Sequence, residues 1–207
     1  MIEKIQSQRT YRYSVSGNPM ANNLLYVLHG YGQLAPFFIR KFNSLEDYFI
    51  VAPEGMHRFY LNGSSGRVGA CWMTKEERLD DIKDNCNWLC DLHSKIIGAQ
   101  SYDKIIVLGF SQGGATAARW FYDERMNADH LIMWTSVFPP DLSPENLVDP
   151  HLKNNLFVLG TEDEYFDGEQ QKDALDFYSM HGFRTVSYFG KHDICIETLI
   201  DSMNHLK

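Results

Sequence analysis

The stretch Val107-Leu108-Gly109-Phe110-Ser111-Gln112-Gly113-Gly114 decides how this chain is read. Upstream, Lys104 to Leu108 is β-branched and apolar, the composition of a buried strand; downstream, Ala115 to Met126 is a run of good helix formers. Between them, Gly109-x-Ser111-x-Gly113 has the spacing of a nucleophile elbow, a sharp strand-to-helix turn. A serine on such a turn points its hydroxyl away from the sheet, and the flanking glycines let neighbouring backbone pass close by. The turn also puts Ser111 at a helix N-terminus, where unpaired N–H groups favour developing negative charge. Three matched positions arise by chance in roughly one chain of this length in fifteen, so the serine needs partners elsewhere before the pattern means chemistry.

Working outward, the chain is 207 residues long with 44% hydrophobic residues, enough for one domain spanning residues 1–207 with a sizeable core. The net charge of −8 argues against a nucleic-acid surface and against stable attachment to anionic membranes. No apolar run approaches the length of a membrane span, and Met1 to Gln6 has no apolar signal-peptide core, so a cytoplasmic setting is expected. Cys71, Cys86, Cys90 and Cys195 then read as reduced thiols. Cys86 and Cys90 lie one helical turn apart, but with only His93 near them in sequence no metal site is expected.

Strand and helix patterns alternate along the chain. Arg9 to Ser16 alternates as an edge strand, while Leu24 to Leu28, Tyr48 to Ala52, Leu131 to Val137 and Leu156 to Leu159 are short apolar runs of the doubly buried kind. Arg184 to Phe189 is a last strand. Pro36 to Leu45, Lys75 to Ile97, Gly168 to Met180 and Asp193 to Leu206 read as helices, with Thr74 and Glu77 as a capping box and Asp193 as an N-cap. Leu79 and Ile82 fall on the apolar face of the longest helix. Glu54 to Thr74 reads as a long Gly-rich loop, and Asp141 to Lys153 as another loop. The fold class is α/β: a mostly parallel central sheet with helices on both faces, whose strand C-termini share one edge. Loops that carry chemistry gather at that edge.

A serine hydroxyl needs a base, and the base needs a carboxylate to fix its tautomer. Of eight histidines, His93, His130, His151, His181 and His205 fall on helices or ordinary connections. His57 lies in the long loop and stays open. His29 follows a strand but sits in the Gly-rich turn His29-Gly30-Tyr31-Gly32, where bonding within the turn suits it better. His192 follows the last strand directly and is the candidate base. For the acid, the loop after Gly160 offers Glu162, Asp163, Glu164 and Asp167; Asp163 is preferred for its closeness to the sheet, with Asp167 and Glu162 as substitutes. Negative charge on a reacting carbonyl calls for amide donors, for which the N–H groups of Gln112 and Tyr31 are placed. Trp72, Phe59, Tyr60, Phe138, Tyr165 and Phe166 lie in loops near the expected edge and are candidate pocket residues.

In the order serine, acid, histidine, these residues resemble the α/β-hydrolase superfamily. Within it the chain is similar to the compact phospholipase/carboxylesterase family, which includes acyl-protein thioesterases. The resemblance rests on Leu28-His29-Gly30-Tyr31-Gly32, Ala52-Pro53, Gly109-Phe110-Ser111-Gln112-Gly113-Gly114, Gly160-Thr161-Glu162-Asp163 and Lys191-His192. It implies hydrolysis of carboxylic esters or thioesters through an acyl-serine, with no metal or cofactor. Ser111 would be the nucleophile, His192 the base, Asp163 the acid, and the amides of Tyr31 and Gln112 the oxyanion hole. Two departures stand out: Lys191 replaces the usual small residue before the histidine, and Asn62 to Thr74 does not match an acyl-chain loop. The expected substrate is a small or medium acyl ester, with a thioester or lysophospholipid as alternatives on the same triad and a non-catalytic binding protein as the rival of another class. Oligomeric state stays open, a homodimer included.

Overall fold

The computed structural model describes residues 2–142 and 155–206. Seven strands form one sheet: β1 (Tyr13–Gly17), β2 (Asn23–Leu28), β3 (Tyr48–Pro53), β6 (Lys104–Phe110), β7 (His130–Trp134), β8 (Leu156–Gly160) and β9 (Arg184–Tyr188). Their order is β1-β3-β2-β6-β7-β8-β9; β1 runs antiparallel to β3, and the other pairs are parallel. The order reverses between β2 and β6. From β2 the chain crosses outward to β3, and from β6 it crosses the other way to β7, so the loops leaving β2 and β6 flank the crevice where ligands bind in such sheets.

The buried runs are strands because both their faces are covered. Five of the six β2 residues are buried, and they alternate between two cores. Leu24, Tyr26 and Leu28 pack with Trp88 and Leu89 of α2 (Arg78–Ile97) and Trp120 of α3 (Gln112–Phe121). Leu25 and Val27 pack with Phe38 of α1 (Ala35–Phe38) and with Leu199 and Met203 of α5 (Ile196–Met203). Each such side chain contributes about 1.5–3 kcal/mol on burial. The remaining helix, α4 (Gly168–Met180), has the bounds its periodicity predicts and packs Tyr178 into the first of these cores. Among the described residues no helix is long and apolar enough to cross a membrane.

The structure departs from the sequence reading at several places: the edge strand begins at Tyr13 and not at Arg9, and the helix read over Pro36 to Leu45 is α1 followed by a 3-10 turn, Ile39–Phe42. The long loop Glu54 to Thr74 contains a hairpin, β4 (His57–Tyr60) and β5 (Val68–Cys71), paired antiparallel with Tyr60 opposite Val68. Its strands are four residues long, and neither His57-Arg58-Phe59-Tyr60 nor Val68-Gly69-Ala70-Cys71 alternates apolar with polar residues. Thr74 and Glu77 do not form a capping box: Glu77 is itself the N-cap, in a left-handed conformation (φ 49°), while the Thr74 hydroxyl accepts from the Glu76 amide. Asp193 does not cap the last helix, which begins at Ile196; its carboxylate pairs instead with Lys41 at 2.7 Å. Leu79 is exposed, in the first turn of α2 beyond the reach of the core. Finally, β7 stops at Trp134 because Thr135 turns out of the sheet with φ 42°. Of the predicted loop Asp141 to Lys153, the part from 143 on, His151 included, lies outside the described residues.

Candidate active site

Ser111 directly follows β6 and N-caps α3 with φ 53° and ψ −125°. An L-residue held there stores about 1–3 kcal/mol of strain, which persists only where the surroundings fix it. They do so from three sides. The Ser111 amide donates to the Trp134 carbonyl at 3.0 Å, tying the turn to the end of β7. A Cβ on Gly113 would lie 2.5 Å from the carbonyl oxygens of both Leu28 and His29, so only glycine lets α3 lean this closely on the end of β2. A Cβ on Gly109 would likewise meet Gly114 Cα at 2.4 Å.

The turn after β2 is held rigidly. His29 is fully buried; its Nε2 accepts from the Gly55 amide at 2.9 Å, so Nδ1 carries the proton and donates to the Gly30 carbonyl at 2.8 Å. Burial pulls the His29 pKa down to about 4, keeping the ring neutral. It acts as a strut and not as a base. The Gly30 amide donates to Gln33 Oε1. Within the described residues neither the Tyr31 nor the Gln112 amide donates a hydrogen bond, and both sit at the turns that flank the crevice.

The candidate acid and base come from the two loops at the far side of the sheet. The amide of Thr161 donates to the Tyr188 carbonyl and that of Glu162 to the Gly190 carbonyl, both at 2.9 Å, so the loops after β8 and β9 are stitched together. A Cβ on Gly160 would sit 2.5 Å from the Gly190 oxygen and hold them apart. This brings Asp163 Oδ2 within 2.7 Å of His192 Nδ1. The other carboxylate oxygen accepts from the Tyr165 amide at 2.9 Å, and the Asp163 side chain is fully buried. The His192 ring lies between Phe110 and Tyr165, at centroid distances of 4.9 and 4.5 Å. With Nδ1 engaged, Nε2 is the ring nitrogen left for chemistry. Asp167 is used otherwise: it N-caps α4, accepting from the amides of Glu169 and Gln170.

Ser111 and His192 both line a cavity of about 650 Å³ between the end of β7, the loop after β8 and α4. Phe138, Tyr165 and Phe166 line it too, as does Gln112. The other three candidate pocket residues do not. Trp72 is fully buried, with its indole N–H donating to the His29 carbonyl; Phe59 packs at a tilt against the Tyr31 ring, centroids 5.1 Å apart; Tyr60 is on the far strand end of the hairpin, half exposed. They belong to the hairpin, which latches onto the elbow from outside: the Trp72 amide donates to Gln112 Oε1 at 3.0 Å, and Gln112 Nε2 donates to the Met73 carbonyl at 2.8 Å. His57, left open above, pairs with Asp81 on the same outer side.

Sequence reasoning missed several contributors. Thr135, Ser136, Phe177 and Tyr178 line the cavity. Thr135 and Ser136 fall inside the strand read over Leu131 to Val137, so no signal marks them as loop residues until the strand is seen to end at Trp134. Trp134 and Tyr188 grip the loop that carries His192: the Trp134 indole donates to the Asp193 carbonyl at 2.9 Å, and the Tyr188 hydroxyl donates to the carbonyls of Lys191 and Asp193. No signal in the sequence marks those bonds. Among the described residues no cluster of metal-ligating side chains occurs, and all four cysteines are free thiols.

No protein-family model matches the chain. A 1-acylglycerol-3-phosphate O-acyltransferase of Arabidopsis thaliana is 30% identical over 109 residues, 53% of this chain and 24% of that protein. The chain thus spans about a quarter of the length of the curated relatives it matches. Among solved structures, the acyl-protein thioesterase 2 of Zea mays superposes with a TM-score of 0.68 at 17% identity, covering 93% of this chain and 96% of that one. A carboxylesterase from Mesorhizobium loti superposes with a TM-score of 0.69 at 17% identity, covering 93% of each chain. The fold shared across these full-length superpositions is the α/β-hydrolase fold.

Proposed function

We propose that the chain is a serine hydrolase of carboxylic esters, with Ser111 as nucleophile, His192 as general base and acid, and Asp163 as the group that orients and stabilises the histidine. The observation that carries the reading is the 2.7 Å bond from buried Asp163 to His192 Nδ1, beside a strained serine lining the same cavity. His192 Nε2 takes the Ser111 proton as Oγ bonds to the acyl carbon. The carbonyl oxygen gains negative charge between the amides of Tyr31 and Gln112, each donor contributing roughly 3 kcal/mol to the transition state. The bond to the alcohol oxygen breaks as His192 hands it the proton. Water, deprotonated by the same nitrogen, then displaces Ser111 and frees the acid. A cavity of this size suits small or medium acyl esters, and the free thiols suit a reducing, cytoplasmic setting.

The test is release of p-nitrophenol from acyl esters of increasing chain length, beside a thioester. Wild type should exceed Ser111→Ala by at least about a thousandfold on short esters. Equal rates on every substrate would end the hydrolase reading and leave a binding protein. A second reading, acyl transfer, is favoured by the match to the Arabidopsis thaliana acyltransferase. Here an alcohol replaces water at the acyl-serine, and the new ester appears at the expense of free acid when glycerol is added.

A further inference from the structure

We infer that a second cavity, across the sheet edge from the first, receives the alcohol half of the substrate, and that Lys41 and Arg67 in its wall select an alcohol carrying a phosphate or carboxylate. The inference rests on the hydrolase reading and narrows its substrate class to esters whose leaving group is an anion-bearing alcohol.

The second cavity holds about 480 Å³ and, among the described residues, shares no lining residue with the first. Phe138 and Tyr178 of the first belong to the core on one face of the sheet; Phe38 of the second belongs to the core on the other. Ser111 stands between them. A Cβ on Gly30 would fall 3.2 Å from Ser111 Cβ, so the turn after β2 passes in contact with the serine. Gly32, two residues on and therefore at most about 7 Å further, lines the second cavity. The Phe38 ring stacks on Phe110 at 5.8 Å, and Phe110 packs against His192. In the proposed reaction His192 hands its proton to the departing oxygen, so the alcohol leaves beside the histidine loop. This cavity is joined to that loop, because Lys41 of its wall pairs with Asp193, the residue after His192.

The charge of the cavity is opposite to that of the molecule. The chain has 27 acidic residues against 19 Lys and Arg, yet among the described residues the charged side chains lining this cavity are Lys41 and Arg67 alone. Arg40 adds a cation at the rim, its guanidinium 5.0 Å from the ring centre of Phe37. Asp193 is the one carboxylate among the described residues that pairs with any of the three, and it engages a single donor of the Lys41 ammonium. The Arg67 guanidinium has no ionic or hydrogen-bond partner among the described residues. Both lining cations are open to a ligand: a third of the Lys41 side chain is accessible, and Arg67 is exposed.

The backbone that carries Arg67 is fixed against the turn. The Leu61 amide donates to the Arg67 carbonyl at 2.9 Å, closing the hairpin, while the Gly32 amide donates to the Ala70 carbonyl at 2.8 Å and the Ala70 amide to the Gln33 carbonyl at 3.0 Å. A Cβ on Gly69 would sit 2.4 Å from the Gly32 oxygen, so β5 presses directly on the turn. Leu34, Phe37 and Phe38 supply an apolar floor, on which Phe37 is 59% exposed despite its size. An apolar floor with a few convergent polar groups suits a small organic ligand. A planar guanidinium beside an ammonium suits the oxygens of a phosphate or carboxylate. A plain alkyl alcohol would use the floor and leave both cations unengaged.

The test follows butyrate release and compares kcat/KM for 2-(butyryloxy)ethyl phosphate against 2-hydroxyethyl butyrate, and for 3-(butyryloxy)propanoate against propyl butyrate. On at least one pair, wild type should prefer the anionic ester about tenfold, one decade corresponding to about 1.4 kcal/mol. The preference should shrink as NaCl rises from about 0.05 M to about 0.5 M. Taking the ratio within each variant cancels changes in the chemical step. Arg67→Gln should cut the preference by about threefold or more, and Arg67→Glu should favour the neutral ester. Arg184→Gln removes the same charge from an exposed site at the start of β9, on the opposite edge of the sheet, and should keep the preference. No preference on either pair, a preference that Arg67→Glu retains, or one that Arg184→Gln loses equally would overturn the inference. If wild type turns over no ester faster than Ser111→Ala, the hydrolase reading fails by itself. The cavity is then decided by calorimetry on Ser111→Ala. There 2-(butyryloxy)ethyl phosphate should bind more tightly than 2-hydroxyethyl butyrate, and adding Arg67→Glu should remove the difference; equal affinities in Ser111→Ala refute the site.

Discussion

Asp163 accepts from two donors, His192 Nδ1 and the Tyr165 amide, so its carboxylate can neither rotate nor reach water. In the proposed reaction this fixes the histidine proton on Nδ1 and keeps Nε2 free to accept. Asp163→Asn reverses that logic: an amide N–H facing Nδ1 would force the proton onto Nε2, the wrong tautomer for a base. We expect kcat to fall by about 10⁴ with KM little changed, and urea midpoints to move little. Asp167→Asn should do the opposite, since Asn caps a helix nearly as well as Asp; Asp167→Ala should cost about 1 kcal/mol of stability and leave kcat near wild type. Assays on the three variants decide which carboxylate serves the histidine, and activity lost in Asp167→Asn but kept in Asp163→Asn would move the assignment. The sequence narrowed the acid to one loop and preferred Asp163 for its closeness to the sheet, but it left Asp167 and Glu162 as substitutes. Setting the substitutes aside depended on the capping bonds of Asp167 and on the stitching of two loops through Glu162 and Gly190, and both are three-dimensional facts. The roles of Trp134 and Tyr188 were illegible for the same reason, because their indole and hydroxyl donate to carbonyls close in space and fixed by no motif.

Strands and the elbow were legible because their signals are local and redundant. Buried runs such as Leu24 to Leu28 have no polar face, and Gly109-x-Ser111-x-Gly113 fixes a turn by steric demand alone. What failed was short or strained: a hairpin with four-residue strands, a helix start made by Glu77 in a left-handed conformation, and a strand ended early by Thr135. Aromatic residues of the hairpin looked like pocket residues because proximity to the edge in sequence says nothing about which side of the elbow they cover. The elbow itself makes a sharp element-level prediction. In Gly113→Ala the new methyl would meet two backbone oxygens at 2.5 Å, and neither can move without shifting β2 or α3. Such overpacking costs about 1–3 kcal/mol, and it pushes the Gln112 amide away from Tyr31. Both the urea-derived stability and kcat should drop. Gly168→Ala is the control: nothing lies within 4 Å of its added methyl, and it sits in the first turn of α4 where alanine is the better helix former. Equal stability of the two variants would mean that the close approach of α3 to β2 is not needed.

At the scale of the molecule, the acid side of the stability curve follows from three histidines on different elements. His29 is held near pKa 4 by burial. His93 is lowered mainly by burial, with Tyr26 and Asn127 on its two ring nitrogens, and His130 is lowered by burial and then by the charge of Lys104. All three bind protons less readily when folded than when unfolded, where the usual value is about 6.5. The unfolded chain therefore takes up more protons as the pH drops through that value. Their stabilising contribution is fully present above about pH 6.5 and is lost progressively below it, His29 continuing to weigh down to about 4. Each histidine supplies a slope of at most about 1.4 kcal/mol per pH unit, so the three together set a ceiling of about 4. The lowered carboxylates of Asp123 and Asp141, paired with Arg125 and Arg119, act in a separate window below about pH 4. Unfolding free energies from urea titrations at pH 7.0, 6.0, 5.0 and 4.5 should fall steadily, with most of the fall before any carboxylate titrates. His130→Leu isolates one share. It removes a buried titrating ring whose Nδ1 has no partner among the described residues, so its slope should be shallower than wild type by up to one proton. A wild-type curve flat from pH 7.0 to 4.5, or a His130→Leu slope equal to wild type, would show that these rings do not carry the acid limb.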